Sequence, residues 1–132
     1  MDTVNFRKGN ALLDRHGHVA IIKFIGEDDV HAMTKNILTG LPLEPIHLRS
    51  SIFLRTGAQN IDDTWYYDYV THGIKFMEVD GYWYPTLIMH PEMSNENHVE
   101  INLNRIEYFH ELQNLILTLF HKELEFTEND LY

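Results

Sequence analysis

The chain has 132 residues, no cysteine and a formal net charge of −10 from 20 acidic and 10 basic side chains. The lack of cysteine excludes disulfides, thiolate zinc sites and a cysteine nucleophile, and scattered basic residues on an acidic chain disfavour direct binding of nucleic acid. No apolar run reaches the roughly 20 residues that span a bilayer, and no secretory signal is recognisable, so we expect a cytoplasmic protein.

The N-terminal part of the chain is predicted to form antiparallel strands. Ala11 to Leu13 lead into Asp14–Gly17, where aspartate at the first position and glycine at the last are typical of a tight turn. The return strand is predicted at His18 to Ile25, followed by a second turn at 26–29 and a shorter strand at Val30 to Thr34. This spacing indicates a small, partly curled sheet that is SH3-like.

Two histidines flank the glycine of the first turn. The local sequence supplies no further metal ligands beside His16 and His18. A metal ion needs a larger set of donors than this pair supplies. The pattern therefore predicts solvated turn histidines rather than a metal site.

A connector and a short helix are predicted in the middle of the chain. Residues 36–48 contain Pro42 and Pro45, which favour an extended backbone, and their apolar residues would pack against the core. A short helix is predicted at about 49–56. Gly57 is well placed to end that helix in a left-handed conformation.

From Thr64 the apolar residues follow a period of two, which predicts strands. After one strand the chain turns and continues at Ile74 to Val79. Asp80-Gly81 is a strong signal for a type I′ hairpin, which returns the chain along Tyr82 to Met89. Pro85 lacks an amide hydrogen and predicts an edge strand or a bulge.

A polar loop and a brief strand are predicted after the hairpin. The loop covers 90–97 and the strand covers 98–101. The strand leads into the long helix predicted at 104–124.

The aromatic residues of this hairpin form a candidate binding surface. They are too many to share one face of a sheet, so some should be exposed and available to stack on a ligand or a partner. Cross-strand pairs that stabilise the sheet explain the same residues without any ligand. The seven aromatic residues are Trp65, Tyr66, Tyr67, Tyr69, Tyr82, Trp83 and Tyr84.

Residues 104–124 are predicted to form a long C-terminal helix. At about 100° per residue, the apolar residues occupy an arc roughly 200° wide, more than one packing face requires. Asn104 and Glu107 have the spacing of a capping box at its start. The wide arc predicts burial on two sides or a homo-oligomer.

Gln113 lies inside that apolar arc, where its amide needs hydrogen-bond partners. One interpretation is that it binds the backbone of a strand edge or loop and fixes the helix; the other is that it recognises a ligand or partner. His110 and His121 lie near the edge of the arc beside Asn114. Eleven residues of helix separate the two histidines by roughly 16 Å, so they cannot share a metal ion.

Catalytic motifs are not recognisable. The sequence contains no phosphate-binding glycine loop, no Gly-x-Ser-x-Gly elbow and no His-Glu-x-x-His helix. His110-Glu111 begins like the last motif, but Asn114 stands where its second histidine is required. The sequence therefore predicts a non-enzymatic protein with no cofactor and no metal.

Three stretches carry a family resemblance. Tyr-Phe-His-Glu-Leu-Gln-Asn-Leu at 108–115, continued by Leu-Thr-Leu at 117–119, is similar to the C-terminal signature of small uncharacterised proteins encoded in phages, prophages and bacterial genomes. Asn-Phe-Arg-Lys-Gly-Asn at 5–10 resembles the start of those proteins, and Pro-Ile-His-Leu at 45–48 resembles the stretch before their short helix. The resemblance implies a shared fold and a phage-linked setting in a bacterial host. It implies no assigned chemistry.

The chain departs from the family pattern at two places. Phe120-His121 stand where the family tends to have Thr-Gly, which predicts a longer helix here. Arg49 stands where a capping threonine is expected before the short helix. Neither departure changes the predicted fold class.

The sequence predicts a single α+β domain. It would combine the small antiparallel, SH3-like N-terminal sheet, a short middle helix, the antiparallel aromatic hairpin and one long C-terminal helix packed on the sheet. The predicted segments are 1–35 for the N-terminal strands, 36–58 for the connector and short helix, 64–102 for the antiparallel strands and 104–124 for the long helix.

Two classes of function fit these features. The first is a phage-encoded protein that inhibits or sequesters a host factor, such as an antiviral-defence component, through protein–protein contact; a basic, nucleic-acid-binding partner would suit the acidic charge. The alternative is a protein that binds or sequesters a small molecule such as a nucleotide. A homodimer is compatible with both classes, and contact with membranes is not expected. The candidate binding residues are Trp65, Tyr67, Tyr69, Trp83, Tyr84, His110, Gln113 and Asn114.

Overall fold

The fold is α+β, with two antiparallel sheets and two α-helices in the part of the chain described here. The chain divides into two compact units, Met1–His47 with Tyr108–Tyr132 and Leu48–Glu107. Each unit has its own sheet. The single-domain assignment stays a prediction. The computed structural model describes residues 6–25, 30–34, 37–39, 43–69, 72–89 and 99–132.

The sheet of the first unit has four strands in consecutive antiparallel order: β1 (Ala11–Leu13), β2 (Val19–Ile25), β3 (Val30–Thr34) and β4 (Ile37–Thr39). This confirms the predicted hairpin and third strand. The strand β4 lies within the segment that was predicted as a connector. Because β4 pairs with β3, this part of the segment belongs to the sheet rather than to a connector.

The turn between β1 and β2 is held by Asp14. Its Oδ1 accepts the backbone N–H groups of His16 at 2.8 Å and His18 at 2.9 Å. Burial would raise the pKa of Asp14, but these two donors and the electrostatic interactions with His18 and His16 together hold the pKa below its usual value. The imidazoles of both histidines are exposed, as expected for turn residues.

The C-terminal helix is shorter than predicted. Helix α2 covers Phe109–Phe120 and packs beside β1, whereas the sequence predicted 104–124. The error at the start has a clear cause, because Ile106 exchanges two backbone hydrogen bonds with Trp83, both 2.8 Å long, and is therefore extended. The carboxylate that caps the start of the helix belongs to Glu111 rather than Glu107, and it accepts the backbone N–H of Tyr108 at 3.0 Å.

The end of α2 also differs from the prediction. His121 has a φ of 56°, the left-handed conformation that closes a helix, and its N–H binds the carbonyl of Leu117 at 2.9 Å. Phe120-His121 thus end the helix rather than lengthen it. The outer apolar residues Leu115, Leu117, Leu119 and Phe120 are half-buried. Burial on two sides is thus only partial, and the homo-oligomer stays a prediction.

The second unit contains a short helix and a five-stranded antiparallel sheet in consecutive order. The elements are α1 (Ser50–Arg55), β5 (Gln59–Ile61), β6 (Thr64–Asp68), β7 (His72–Val79), β8 (Tyr82–Met89) and β9 (Val99–Asn102). Helix α1 and the hairpin strands β7 and β8 confirm the predicted elements. The three-residue strand β5 was not predicted, and β7 begins at His72, where a loop was expected.

The predicted type I′ turn is confirmed, because Asp80 and Gly81 have φ values of 54° and 84°. Asp62 and Asp63 form a second tight turn with φ values of 52° and 61°. Aspartate tolerates this region better than most residues because its side chain can bond locally. Both turns lie at the same end of the antiparallel sheet.

One face of the five-stranded sheet is covered by Phe53 of α1. Its ring centroid lies 4.5 Å from Trp83, 5.1 Å from Phe76 and 6.2 Å from Trp65. Such tilted and stacked aromatic contacts add to the burial of apolar area. This cluster is the core of the second unit, and it fixes which aromatic residues point inward.

Pro85 does not lie on an edge strand, because β8 is flanked by β7 and β9. The alternative prediction of a bulge fits better. Thr86 pairs with Asn102, whereas Trp83 pairs with Ile106. An advance of three residues along β8 is thus matched by four residues on the opposite strand, which is the pattern of a bulge. Leu103 donates to the carbonyl of Pro85 at 3.0 Å, and the missing amide lies beside the extra residue.

Some predicted features lie outside the described residues. These are the second turn at 26–29 and the polar loop at 90–97. Within the described ranges, no helix is long and apolar enough to cross a membrane.

Candidate functional site

The predicted aromatic surface divides between the two faces of the five-stranded sheet. Trp65, Tyr67 and Trp83 point toward Phe53 and are buried. The hydroxyl of Tyr67 shares a 2.6 Å hydrogen bond with Thr56, and burial raises its pKa. These three candidate residues therefore contribute to the core of the second unit.

Among the aromatic residues that were predicted to bind a ligand or partner, Tyr84 and Tyr69 are accessible to solvent. Tyr84 is exposed on the face opposite to Phe53. Tyr69 is half-buried at the end of β6, where burial raises its pKa. A binding role for either residue stays a prediction.

The face opposite to Phe53 carries a group of apolar residues near the two tight turns, and all but the half-buried Tyr82 are exposed. Met77 pairs with Tyr84, and Val79 pairs with Tyr82, so these four side chains lie on one face. Ile61 joins them through its pairing with Thr64 on the neighbouring strand. Met77 is 50% exposed. We call this group, Ile61, Met77, Val79, Tyr82 and Tyr84, the open face.

Acidic residues border the open face. Asp62 and Asp63 form one of the adjacent turns, and Asp80 belongs to the other. Arg105 is a basic neighbour of this face, and its guanidinium carbon lies 3.9 Å above the ring of Tyr82. The sequence pattern missed the open face because Ile61 and Met77 are not aromatic. The pairing register of the strands brings these residues together, and the sequence pattern does not specify that register.

Gln113 is 1% exposed, and its amide is used inside the first unit. Its Oε1 accepts the backbone N–H of Ala11 at 2.9 Å, which fixes the orientation of the amide. Its Nε2 donates to the carbonyl of Gly9 at 3.1 Å. Of the two interpretations, this geometry matches the one in which Gln113 fixes the helix to loop and strand backbone.

The stretches at 5–10 and 108–115, which carry the family resemblance, meet in space. Asn10 donates from Nδ2 to Asn114 Oδ1 at 2.9 Å and to Gln113 Oε1 at 3.3 Å. Arg7 forms a bidentate pair with Glu123, at 2.9 and 3.0 Å, and also donates to the carbonyl of Gln113 at 3.3 Å. We call Arg7, Gly9, Asn10, Gln113, Asn114 and Glu123 the polar cluster.

Gly9 in the polar cluster has a backbone conformation that favours glycine. Its φ is 94°, and a Cβ atom at this position would lie 3.3 Å from an Arg7 guanidinium nitrogen. The glycine thus lets Arg7 fold back toward α2. Asn5, the first residue of the resembling stretch, lies outside the described residues.

His110 is buried between two rings. Phe6 meets it edge-on with centroids 4.9 Å apart, and Tyr108 stacks on it at 5.8 Å. Burial lowers the pKa of His110, and the nearby Glu111 carboxylate opposes this effect. Among the described residues, the His110 Nδ1 has no hydrogen-bond partner. The ring is thus a neutral packing group in the first unit.

Two depressions lie near these regions. One, of about 320 Å³, is lined by Trp65, Asp62 and Glu78 among others at the turn end of the second unit. The other, about 570 Å³ in volume, lies beside Gln113 and Phe126 in the first unit. Within the described residues, no group of three or more histidine, aspartate or glutamate side chains is arranged to hold a metal ion.

Comparison with known proteins adds no functional information. No protein-family model, no curated protein and no solved structure matches this chain.

Proposed function

We propose that the protein is a non-enzymatic binding protein that contacts a basic surface of another protein through the open face. The observation that carries this proposal is the exposure of Met77, Val79 and Tyr84 together on a sheet face whose other side is packed. A contiguous apolar group with a polar border is typical of protein contact surfaces.

Charge selects the class of partner. Asp62, Asp63 and Asp80 border the open face, and the whole chain carries a formal charge of −10. A basic partner would be attracted to this region, and its association would weaken as salt increases. An apolar stripe flanked by lysine or arginine is the complementary surface that we expect.

The biological setting is part of the proposal. The resemblance of the stretches at 5–10 and 108–115 to proteins of phages and prophages supports a host factor as the partner, for instance an antiviral-defence component. A host factor that itself binds nucleic acid would have the required positive charge.

The consecutive antiparallel order of β1 to β4 supports an SH3-like first sheet.

Two matched variants test the proposal. Met77→Lys adds a positive charge to the open face, and Leu54→Lys adds the same charge at an exposed apolar position of α1 outside it, where the residue is 64% exposed. Wild type and both variants would be immobilised and incubated with lysate of a bacterial host. Retained proteins and small molecules would then be identified and quantified.

The proposal predicts a stoichiometric basic protein that wild type and Leu54→Lys retain equally. Met77→Lys should retain at least tenfold less, and salt should release the partner. Equal retention by both variants would contradict the role of the open face. A retained nucleotide without a protein would instead favour the small-molecule alternative.

A further inference from the structure

The turn end of the second unit contains a notch beside the open face. Strands β6 and β7 pair as far as Trp65 and Phe76, and β7 then continues beyond the start of β6. The depression of about 320 Å³ that Asp62, Trp65 and Glu78 help to line lies at this notch, and we call it the turn cavity. Met77 belongs both to its wall and to the open face.

The wall of the turn cavity carries negative charge without a basic counterpart. Asp62, Asp63 and Glu78 line it together with the amide-bearing Asn60. None of its described lining residues is lysine, arginine or histidine, and these three acidic side chains have no ion pair or hydrogen bond within the described chain. A cleft lined by one sign of charge concentrates ligands of the opposite sign.

Two deeply buried polar side chains at the turn cavity also lack partners. Trp65 is 8% exposed and Thr64 is 6% exposed, and both line the cavity. Within the described chain, neither the indole N–H of Trp65 nor the hydroxyl of Thr64 makes a hydrogen bond. Trp83 differs, because its indole N–H donates to the carbonyl of Leu48 at 3.4 Å. Since buried polar groups normally have partners, an unused donor beside unpaired acids indicates a ligand with both a cation and an acceptor.

We propose that the turn cavity receives an arginine side chain of the basic partner. A guanidinium carries five N–H donors in a planar fork, which suits a wall with several acceptor oxygens better than a lysine ammonium does. Aromatic rings attract such a cation, and Trp65 and Trp83 both line the cavity. The backbone carbonyl of the arginine supplies the acceptor for the unused indole N–H.

The size and position of the turn cavity fit this occupant. Its volume of about 320 Å³ lies at the lower end of the range for small-ligand sites. Because Met77 is shared with the open face, one partner can cover the apolar residues and insert an arginine beside them. The proposal names the group of the partner that is recognised, and in this respect it rests on the proposed function.

Tryptophan fluorescence reports on the turn cavity directly, because the chain has two tryptophans and both line it. The probe is arginine capped by an N-acetyl group and a C-terminal methylamide, and it would be titrated into the purified chain at low salt. Capped citrulline, which has the shape of arginine without its charge, is the matched ligand control.

Three variants accompany the titration. Asp63→Asn removes a carboxylate from the turn cavity and keeps a residue that tolerates the left-handed φ of 61°. Glu78→Gln removes a second carboxylate from a strand position of the same wall. Asp68→Asn removes the same charge from the exposed opposite end of β6 and is the matched control. Circular dichroism would establish that each variant is folded.

We expect capped arginine to shift the tryptophan emission saturably and to bind at least tenfold more tightly than capped citrulline. Asp63→Asn and Glu78→Gln should each weaken its binding at least threefold, whereas Asp68→Asn should change it less than twofold. Absence of a saturable shift, equal binding of the two probes, or wild-type affinity in both cavity variants would overturn the proposal.

The titration contains no partner protein, so it separates this proposal from the proposed function. A basic partner from host lysate that Met77→Lys loses, but that Asp63→Asn and Glu78→Gln retain as wild type does, would support the open face and overturn the arginine site. Binding of capped arginine by a chain that retains no partner would support the arginine site and contradict the proposed function.

Discussion

The polar cluster and the open face use their residues in opposite ways. In the polar cluster, Gln113 and Asn10 are buried and bind groups of the same chain. On the open face, Met77 and Val79 are ordinary apolar residues left in solvent. The residues that look most distinctive in the sequence thus hold the first unit together, whereas the surface proposed for binding consists of residues that no motif marks.

This difference gives a general lesson about sequence signatures. A buried amide needs several partners at once, so its neighbours are restricted to residues that supply them. The polar cluster shows such restriction in Arg7, Gly9 and Asn10. A contact surface needs only apolar area in the right register. It can therefore be built from many sequences.

The largest expected effect concerns the core beneath the open face. Phe53→Ala should reduce the free energy of unfolding by about 3–5 kcal/mol, because it leaves a cavity among four aromatic rings. The neighbouring exposed Leu54→Ala should change it by less than about 0.5 kcal/mol. Denaturant unfolding measures both. Similar small effects for the two variants would show that Phe53 is not the centre of this core.

The next effect concerns the polar cluster. Gln113→Leu keeps a similar volume but leaves the Ala11 N–H and the Gly9 carbonyl without their partner. We expect a loss of about 2–4 kcal/mol in the free energy of unfolding. Thr118→Leu, at an exposed position of the same helix, is the control and should have little effect. A stable Gln113→Leu protein would contradict the structural role of this amide.

A smaller effect is expected at the rim of the polar cluster. Arg7→Lys loses the bidentate contact with Glu123. Since the Glu123 side chain is 57% exposed, solvent screens the pair, and the loss should be below about 1 kcal/mol. Unfolding at low and high salt measures it, and Glu123→Gln should give a similar loss. A difference between wild type and variant that does not shrink at high salt would argue against an ionic contribution.

The smallest effect is a pH dependence from His110. Burial holds its folded-state pKa below the ordinary 6.5, so the unfolded chain takes up the proton first. The stability contribution is complete above pH 6.5 and is lost as the pH falls toward the folded-state pKa. His110→Phe should flatten this part of the stability profile. An unchanged profile in His110→Phe would assign the pH dependence to other groups.

Much of the second unit could be predicted from the sequence, because its signals are local. Asp80-Gly81 specifies its turn by backbone conformation alone, and the period of two marks β7 and β8. The start of α2 could not be predicted in this way. Ile106 fits a helical period and a strand equally well, and its bonds to Trp83, distant in sequence, decide between them.

The candidate sites were predictable to different degrees. The burial of Gln113 and its need for backbone partners follow from its place among apolar helical residues. The identity of its partners, Gly9 and Ala11, required the tertiary structure. The sequence also could not divide the aromatic residues between faces, since the position of Phe53 determines that Trp83 is covered and Tyr84 is not.

Site-specific photo-crosslinking is the most direct test of the open face as a protein contact surface. A photoreactive phenylalanine would replace Tyr84 on the open face and, as the control, Leu54 on α1, both of which are exposed. We expect a crosslink from position 84 to a basic partner in host lysate, suppressed by Met77→Lys, and no crosslink from position 54. A partner that crosslinks equally from both positions, or only from position 54, would contradict it.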